Sequence, residues 1–332
     1  MARFGLGFQS DKSLADYERL AAAAEALGFD VVSVFGDLWY QPPIVALMAM
    51  ARVTSRLSLG PACLNPFVLH PVEIAGQVRA LDAASSGRAY LGLARGSWLA
   101  PLGVDQSHGV EAVEEALLVA RALLAGDRSG VAGGRFSLPP GAALVDGPAP
   151  SRVPLLVGTW GPRLAAVGGR LADEVKLGGS ANPAMVPLLR RYIDSGSLAA
   201  GRPAGSVGLV VGAVTVVDED GAAARRRARE ECAMYLEVVG RLDPTLEVPD
   251  ELTAAIGARL AAGDRSGAAA LVPDELLPCF SFAGTPEQVA AQAAALLEAG
   301  AGRIEFGTPH GLSDDSGVEL LGRRVLPALR GV

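Results

Sequence analysis

The chain has 332 residues, a formal net charge of −7, and a composition that is half apolar. This length allows one large α/β barrel or two ordinary domains, and the acidic balance argues against a nucleic-acid-binding surface, which would be basic. Apolar runs stay short of the roughly 20 residues that cross a membrane, and the start of the chain does not resemble a signal peptide. We therefore expect a cytoplasmic protein without nucleic-acid or membrane partners.

Cysteine and lysine are both scarce. Cys63, Cys232 and Cys279 lie far apart and form no Cys-x-x-Cys pair, so we expect neither a disulfide framework nor a metal site. Two of the 29 lysine and arginine residues are lysines, Lys12 and Lys176. Each lysine can therefore be tested individually.

Apolar runs that alternate with helical patterns predict eight strands. The strands cover residues 3–8, 31–35, 57–64, 89–94, 153–158, 174–177, 209–217 and 303–306. The intervening patterns predict helices over residues 14–27, 42–54, from 71 to the turn at 85–88, 111–124, 162–171, 183–195, 222–240, from 285 onward, and 317–329. Eight such alternations favour a (β/α)8 TIM barrel over a doubly wound sheet.

We predict one barrel domain over residues 1–332, with insertions at about 126–152 and 241–282. The first insertion is rich in glycine and proline, with a short hairpin near 135–138. The second is a mixed region that follows a long charged helix. Pro286 and Glu287 after Thr285 are typical of a helix start.

Residues 57–97 read as one strand–helix–strand unit whose two strands must be parallel and buried. The first strand ends at Asn65-Pro66 and the second at Arg95-Gly96-Ser97, and neither end suits a packed core. Ligands of α/β folds bind at the carboxyl ends of parallel strands. We therefore expect the functional site at this face.

The predicted strand ends are rich in glycine and poor in ionisable side chains. Glycines let a ligand approach the backbone, and exposed amides hold anionic oxygens, so this face suits a planar cofactor with an anionic tail. Arg95 adds a cation, although a rim carboxylate is an equally good partner for it. Asp37 either orients a ligand or caps the next helix, and the glycines could simply shape tight loops.

Two further ionisable residues lie near strand ends. Lys176 stands where an aldolase could carry a Schiff-base lysine, but a salt-bridged or phosphate-facing lysine fits its neighbours better. His310 is an isolated histidine, and such residues are more often structural than ligand-binding.

Four segments carry a family resemblance: LGPACLNPFVLHPVEIAGQVRALDAASSGRAYLGLARGSW (59–98), VPLLVGTWGPRLAAVGGRLADEVKLGGSANP (153–183), FAGTPEQVAAQAAALLEAG (282–300) and IEFGTPHG (304–311). Together they resemble the bacterial luciferase-like superfamily. Within it they are most similar to the branch dependent on coenzyme F420, a deazaflavin, that is typified by methylenetetrahydromethanopterin reductase.

The resemblance implies a TIM barrel that binds a flavin-like ring at its C-terminal face: coenzyme F420, or FMN as the alternative. A non-proline cis peptide bond behind the ring would fall at Ala62-Cys63. Ala62, Cys63 and Asn65 would all be cofactor-binding residues. Arg95, Gly96 and Ser97 would lie beside the ring or the substrate. The remaining cofactor positions would be Gly158, Thr159, Trp160 and Gly161 near the ring and ribityl chain, and Gly178 and Gly179 near the phosphate.

The chain departs from the family pattern at two positions. Asp37-Leu38 stands where relatives often have an aspartate–histidine pair, and Ser97 stands where several have an acid. The proton of a hydride transfer would therefore be handled by Asp37, Ser97, water or the substrate itself, and Asp37 and Ser97 are the candidate catalytic residues.

The resemblance implies an F420-dependent oxidoreductase that transfers a hydride to or from a small organic substrate. An FMN-dependent monooxygenase with a separate flavin reductase is the alternative, and a non-catalytic deazaflavin- or flavin-binding protein is a third. We also expect a homodimer formed through the apolar second helix.

Overall fold

The computed structural model describes residues 2–97, 99–145 and 151–331. Within these ranges the chain forms nine strands: β1 Arg3–Phe8, β2 Val31–Val34, β3 Ser58–Pro61, β4 Leu91–Leu93, β5 Leu155–Gly158, β6 Glu174–Gly178, β7 Gly208–Val217, β8 Ser281–Gly284 and β9 Arg303–Gly311.

Helices follow most strands. They are α1 Leu14–Leu27, α2 Pro43–Val53, α3 Pro71–Ala84, α4 Gly109–Ala125, α5 Pro162–Leu171, α6 Met185–Ala199, α7 Gly221–Val239, α8 Asp250–Ala261, α9 Arg265–Ala270, α10 Leu277–Phe280, α11 Pro286–Glu298, α12 Asp314–Leu320 and α13 Leu326–Arg330. Among the described residues, none of these helices combines the length and apolar character needed to span a bilayer.

Eight of the strands form a parallel barrel in the order β3-β2-β1-β9-β7-β6-β5-β4. Parallel bridges from Leu59 to Ala89 and from Leu64 to Leu93 join β3 to β4 and nearly close the barrel. β8 pairs with the end of β7, outside the barrel. The predicted (β/α)8 fold is confirmed.

The prediction of eight strands was wrong in one place, because residues 281–284 form a ninth. Four residues that end in a glycine with φ +142° carry too little periodicity to distinguish a strand from a loop. The last barrel strand is also longer than expected, since β9 runs to Gly311 rather than to residue 306.

Local sequence signals place the helix starts. Thr285 caps α11 in a capping box whose return partner is Gln288, with Pro286 in the first turn. Ser13 caps α1 by accepting a hydrogen bond from the amide of Asp16, and Gly28 ends that helix with φ +88°. These caps fix where each helix leaves the barrel.

Apolar side chains pack in three places. The largest core lies between the barrel strands and the surrounding helices. A second cluster joins α7–α10 to β7 and β8, and only part of it lies in the expected insertion at about 241–282. A third, much smaller cluster inside the barrel contains Val31, Ala62, Tyr90, Leu156 and Val210.

The predicted hairpin of the first insertion is a single antiparallel bridge between Val131 and Leu138, with two 2.8 Å backbone hydrogen bonds. Residues 146–150 of that insertion lie outside the described residues.

Candidate active site

Two adjoining cavities open at the carboxyl ends of the barrel strands. The outer cavity has a volume of about 660 Å³ and the inner cavity about 230 Å³. Asp37, Ala62, Ser97, Trp160 and Lys176 line both, as do Gly178 and Leu242, so the two form one crevice. Sizes in this range are typical of cofactor sites.

The structure brings all thirteen predicted site residues to this crevice. Gly179 lines the inner cavity alone, and five residues line both: Asp37, Ala62, Ser97, Trp160 and Gly178. The remaining positions line the outer cavity: Cys63, Asn65, Arg95, Gly96, Gly158, Thr159 and Gly161. Their roles toward a ligand stay predictions.

The peptide bond between Ala62 and Cys63 is cis, as the resemblance implies. The Cys63 thiol packs against the backbone of the neighbouring strands: a Cβ at Gly158 would lie 2.7 Å from its Sγ, and one at Gly92 would lie 3.3 Å away. Glycines on β4 and β5 therefore make room for this side chain. Burial raises the pKa of Cys63 to about 12, so the thiol is neutral.

Glycines after β5 and β6 leave backbone exposed to the crevice. A Cβ at Gly161 would meet no atom within 4 Å, and one at Gly178 would meet only Lys176 Cε, at 3.7 Å. The indole Nε1 of Trp160 donates a 2.9 Å hydrogen bond to the carbonyl of Gly178, which fixes the aromatic ring between the two loops. These positions form a cradle that side chains would fill.

Asn65 shapes the opposite wall. Its Oδ1 accepts hydrogen bonds from the amides of Phe67 and Val68, each 3.2 Å long. Gly96 has φ +77°, and a Cβ there would lie 2.8 Å from Asn65 Nδ2. The close approach of the two loops therefore depends on glycine at this position.

Arg95 is an exposed cation at the mouth of the outer cavity. In the part of the chain that the structure describes, its guanidinium makes no ion pair, and its contact with a ligand stays a prediction. The side chain packs over the start of α4, where a Cβ at Gly109 would lie 2.4 Å from Arg95 Nε. Its charge is available to an anionic ligand.

Asp37 does not cap the next helix, because α2 begins after Pro42 and receives no side-chain cap. Its carboxylate instead accepts a 3.0 Å hydrogen bond from Gln9 Nε2. Burial raises the pKa of Asp37, while the bond from Gln9 and the charge of Lys176 oppose that rise. A partly buried carboxyl with a raised pKa at a cavity wall is typical of residues that exchange a proton with a ligand.

The partner of Lys176 and one wall of the inner cavity were not predicted from the sequence. Lys176 forms an ion pair with Glu305 of β9, and both side chains line the inner cavity. Lys176 is therefore salt-bridged, as expected. The sequence did carry a signal for these side chains, because two buried strands have charged residues at alternate positions. They are Glu174 and Lys176 on β6 and Arg303 and Glu305 on β9, and their side chains lie inside the barrel.

Helix α7 supplies the missed apolar wall, with Tyr235, Val238 and Val239 facing the inner cavity. His310 lines neither cavity; it is buried and bonded through Nδ1 to Asp314, at 3.1 Å.

A parallel (β/α)8 barrel with a glycine-lined crevice at its C-terminal face has the architecture of a TIM-barrel enzyme. The family follows from a direct match: residues 1–303 fit the luciferase-like monooxygenase family, and the chain belongs to that family. The resemblance stated from the sequence is confirmed.

Relatives extend over the whole chain. The 5,10-methylenetetrahydromethanopterin reductase of Archaeoglobus fulgidus is 27% identical over 335 residues, which cover 99% of this chain and 100% of that protein. The solved structure of the coenzyme F420-dependent tetrahydromethanopterin reductase of Methanopyrus kandleri superposes with a TM-score of 0.89 at 24% identity, covering 99% of both chains.

An F420-dependent secondary alcohol dehydrogenase, solved with an F420–acetone adduct, superposes with a TM-score of 0.78 at 19% identity over 99% of both chains. At these identities the two solved structures establish the fold.

Proposed function

We propose that the protein is an F420-dependent oxidoreductase that transfers a hydride between the deazaflavin ring and a small organic substrate. The observation that carries the proposal is the crevice itself, in which every predicted cofactor position meets. The full-length similarity to a reductase of the F420 branch supports it.

The residues present fit this cofactor. The open space at Gly161 and Gly178 accepts a ring system close to the backbone, and Arg95, which has no ion-pair partner among the described residues, suits an anionic tail. When bound, the deazaflavin supplies the hydride chemistry, and the barrel supplies orientation and a dry pocket. The inner cavity, with its apolar wall from α7, is the proposed substrate compartment.

Asp37 and Ser97 remain the proposed catalytic residues from the sequence. Both residues line both cavities, and this shared position supports a role between the proposed cofactor and substrate compartments.

An FMN-dependent monooxygenase is the second candidate, because the family takes its name from that activity. The two candidates are distinguished by denaturing the purified protein and identifying the released chromophore by absorbance, fluorescence and mass. F420 is expected. Release of FMN would contradict the proposal, as would failure to take up either cofactor on soaking.

Turnover separates an enzyme from a non-catalytic binding protein. We expect reduced F420 to be oxidised by at least one member of a panel of enones, imines and quinones. Binding without oxidation across that panel would favour the non-catalytic alternative.

We further propose a cytoplasmic homodimer that forms through α2. Val45 and Val53 of this helix are exposed, and Trp39 and Tyr40 just before it are also exposed apolar residues. Light scattering should give twice the chain mass, and Val45→Glu should reduce it to that of one chain. A monomeric wild-type protein would contradict this proposal.

A further inference from the structure

The interior of the barrel holds a column of charged and hydroxyl-bearing side chains. Lys176 pairs with Glu305, and Arg303 Nη1 lies 3.0 Å from Glu174 Oε2. Ser33 of β2 stands beside them. TIM-barrel interiors are normally filled by bulky apolar residues, so charges here need a specific explanation.

The hydrogen bonds of this column have one direction. Glu305 is a carboxylate, so Ser33 must donate its hydroxyl hydrogen to Glu305 Oε2. Ser33 Oγ lies 2.6 Å from the hydroxyl of Tyr90, and with its own hydrogen already committed it accepts that bond. The hydrogens therefore point from Tyr90 through Ser33 to Glu305, whose other oxygen accepts from Lys176.

The two ends of the column reach different cavities. Lys176 and Glu305 line the inner cavity at the C-terminal face. Tyr90, with Arg303 and Glu174, lines a separate cavity of about 410 Å³ around the N-terminal ends of the strands. Residues at the two ends of the hydrogen-bonded chain thus line two different cavities.

Stability alone does not account for the column. A buried ion pair is often no more stabilising than apolar residues of the same volume, because desolvation offsets the attraction. In addition, Nε and Nη2 of buried Arg303 have no hydrogen-bond partner within the described residues. Buried charges kept at such a cost are typical of functional sites.

We propose that Lys176 donates the proton that accompanies hydride transfer, and that Tyr90, Ser33 and Glu305 return a proton to it from the N-terminal cavity. This inference rests on the proposed function and names the source of its proton. The chain departs from the family pattern at positions 37 and 97, where relatives often carry groups that can handle a proton. The proposal gives that role to Lys176.

The step balances without a further reactant. The reduced deazaflavin supplies the two electrons as a hydride to the substrate carbon. One N–H bond of the Lys176 ammonium breaks, its electron pair stays on nitrogen, and the proton binds the substrate heteroatom. Glu305 then takes a proton from Ser33 on Oε2, and its carboxyl group turns to pass that proton to the neutral Lys176 amine. Ser33 takes a proton from Tyr90, and water in the N-terminal cavity supplies Tyr90 and leaves as hydroxide, which the buffer neutralises.

The charges around Glu305 explain why Glu305 passes a proton to Lys176 only after Lys176 has donated its own. Burial would raise the pKa of Glu305, but Lys176 and Arg303 hold it below its usual value. Loss of the Lys176 charge removes the nearer of these cations, so Glu305 then accepts a proton more readily. Other ionisable groups near Lys176 are Asp37 beyond β2 and Cys63 beyond β3, with Tyr235 of α7 also lining the inner cavity.

Asp37 is the competing donor. It also lines the inner cavity, but its one side-chain partner in the described part of the chain is Gln9, and no hydrogen-bonded chain from it reaches the N-terminal cavity. A donor supplied only from the crevice would be cut off from water once ligands fill that crevice.

The lysine content of the chain allows a direct test. Labelling with [15N]lysine gives two side-chain signals, from Lys12 and Lys176, and Lys12→Arg assigns them. In the F420-bound protein we expect Ser33→Ala and Tyr90→Phe each to slow exchange of the Lys176 ammonium hydrogens with water several-fold. Lys12 is the internal reference. Ser281→Ala and Tyr192→Phe, which alter a buried strand serine and a helix tyrosine outside the column, should change nothing.

Turnover gives the second readout, with reduced F420 and cyclohexenone or the most active acceptor of the panel. Lys176→Met should slow the first turnover by about 100-fold or more, because a general acid usually accelerates a reaction by at least this factor. Tyr90→Phe should leave the first turnover intact, because Lys176 starts protonated, and slow the later ones. Asp37→Asn should slow the first turnover far less than Lys176→Met does, because Lys176 carries the proton.

The outcomes separate the two proposals. If the wild-type protein neither binds F420 nor oxidises its reduced form, the proposed function fails and this inference fails with it. If it binds and turns over while Ser33→Ala and Tyr90→Phe match their controls in both readouts, the relay alone is wrong. A first turnover lost in Asp37→Asn and kept in Lys176→Met would assign the proton to Asp37.

Discussion

Lys176 on β6 and Glu305 on β9 form an ion pair across the strand between them, at the point where β7 carries Gly212. A Cβ at Gly212 would lie 3.1 Å from Glu305 Cβ and 3.6 Å from Lys176 Cε. On the other side of β9, a Cβ at Gly7 would lie 3.1 Å from Glu305 Oε1. Glycines on the two neighbouring strands therefore provide the space in which the pair forms.

Removing one member of this pair should be costly for stability. Lys176→Met leaves the Glu305 carboxylate buried without its partner and should lower the free energy of unfolding by about 3–5 kcal/mol. The double variant Lys176→Met/Glu305→Leu should recover much of that loss, because no unpaired charge remains. Urea unfolding at pH 7 measures both. A single variant as stable as the wild type would show that the pair is not buried as described.

Gly161 should be needed for cofactor retention and not for folding. Its backbone angles, φ −95° and ψ 151°, suit any residue, and a side chain there would project into open cavity space. Gly161→Leu should therefore abolish F420 binding in a fluorescence titration with an unchanged melting temperature. Gly76→Leu, at a helical glycine that also faces open space, is the matched control and should bind normally. Normal F420 binding by Gly161→Leu would show that the cofactor does not bind beside Gly161.

Asp37→Asn should make the protein more stable at neutral pH and less active in steady-state turnover. Burial holds the pKa of Asp37 above its unfolded value, so ionising this group opposes folding once the pH exceeds the unfolded pKa, near 3.8. The gain in stability over the wild type should be absent at lower pH and appear as the pH rises. Thermal melts of both proteins over about five pH units above pH 3 check whether the stability gain grows with pH. A variant less stable than the wild type at pH 7 would contradict the raised pKa of Asp37.

Glu25 should support the fold in a way that acid removes. Burial would raise the pKa of Glu25, but hydrogen bonds from the amides of Arg56, Ser55 and Leu57 lower it to about 2. Its contribution is therefore full above the unfolded pKa, near 4.5, and is lost as the pH falls toward 2. Since the carboxylate is largely exposed, Glu25→Gln should cost only about 1 kcal/mol at pH 7 after allowance for solvent screening.

The difference between Glu25→Gln and the wild type should shrink toward zero near pH 2, as measured by urea unfolding. Glu298→Gln, at an exposed glutamate with no partner among the described residues, is the control and should match the wild type throughout. A pH-independent difference for Glu25→Gln would mean that its charge is not what stabilises the turn before β3.

The three thiols should differ in reactivity. Burial raises the pKa of Cys63 and that of Cys232 to about 12 in each case, and that of Cys279, which is half-buried, is raised as well. At pH 8 iodoacetamide should therefore modify Cys279 first, Cys63 more slowly because its thiol is neutral, and Cys232 only after unfolding, because the thiolate is the nucleophile. Peptide mass mapping over time records the order. Early labelling of Cys63 would indicate that its thiol is not buried behind Gly158.

Much of the fold could be read from local patterns. The strand–helix–strand unit of residues 57–97 became β3, α3 and β4, because each element carries its own periodicity and turn signals. Segments without such a signal were missed, as β8 shows. The strand ends also predicted the crevice, since the barrel brings all carboxyl ends to one face.

Contacts between distant residues could not be predicted in the same way. Lys176 and Glu305 are 129 positions apart, and their pairing depends on the strand order β6-β7-β9, which local periodicity does not encode. The partner of Asp37 was missed for the same reason, because Gln9 lies at the end of the neighbouring strand β1. The available signal for charged side chains inside the barrel was the charged residue at every second position of β6 and β9.

The most direct test of the central claim is a parallel titration of the purified protein with F420 and with FMN, followed by fluorescence. We predict saturable binding of F420, with a dissociation constant at least about tenfold below that of FMN, equivalent to about 1.4 kcal/mol. The same F420 titration of Gly161→Leu should show no binding. Tighter binding of FMN than of F420, or equal F420 binding by wild type and Gly161→Leu, would contradict the account.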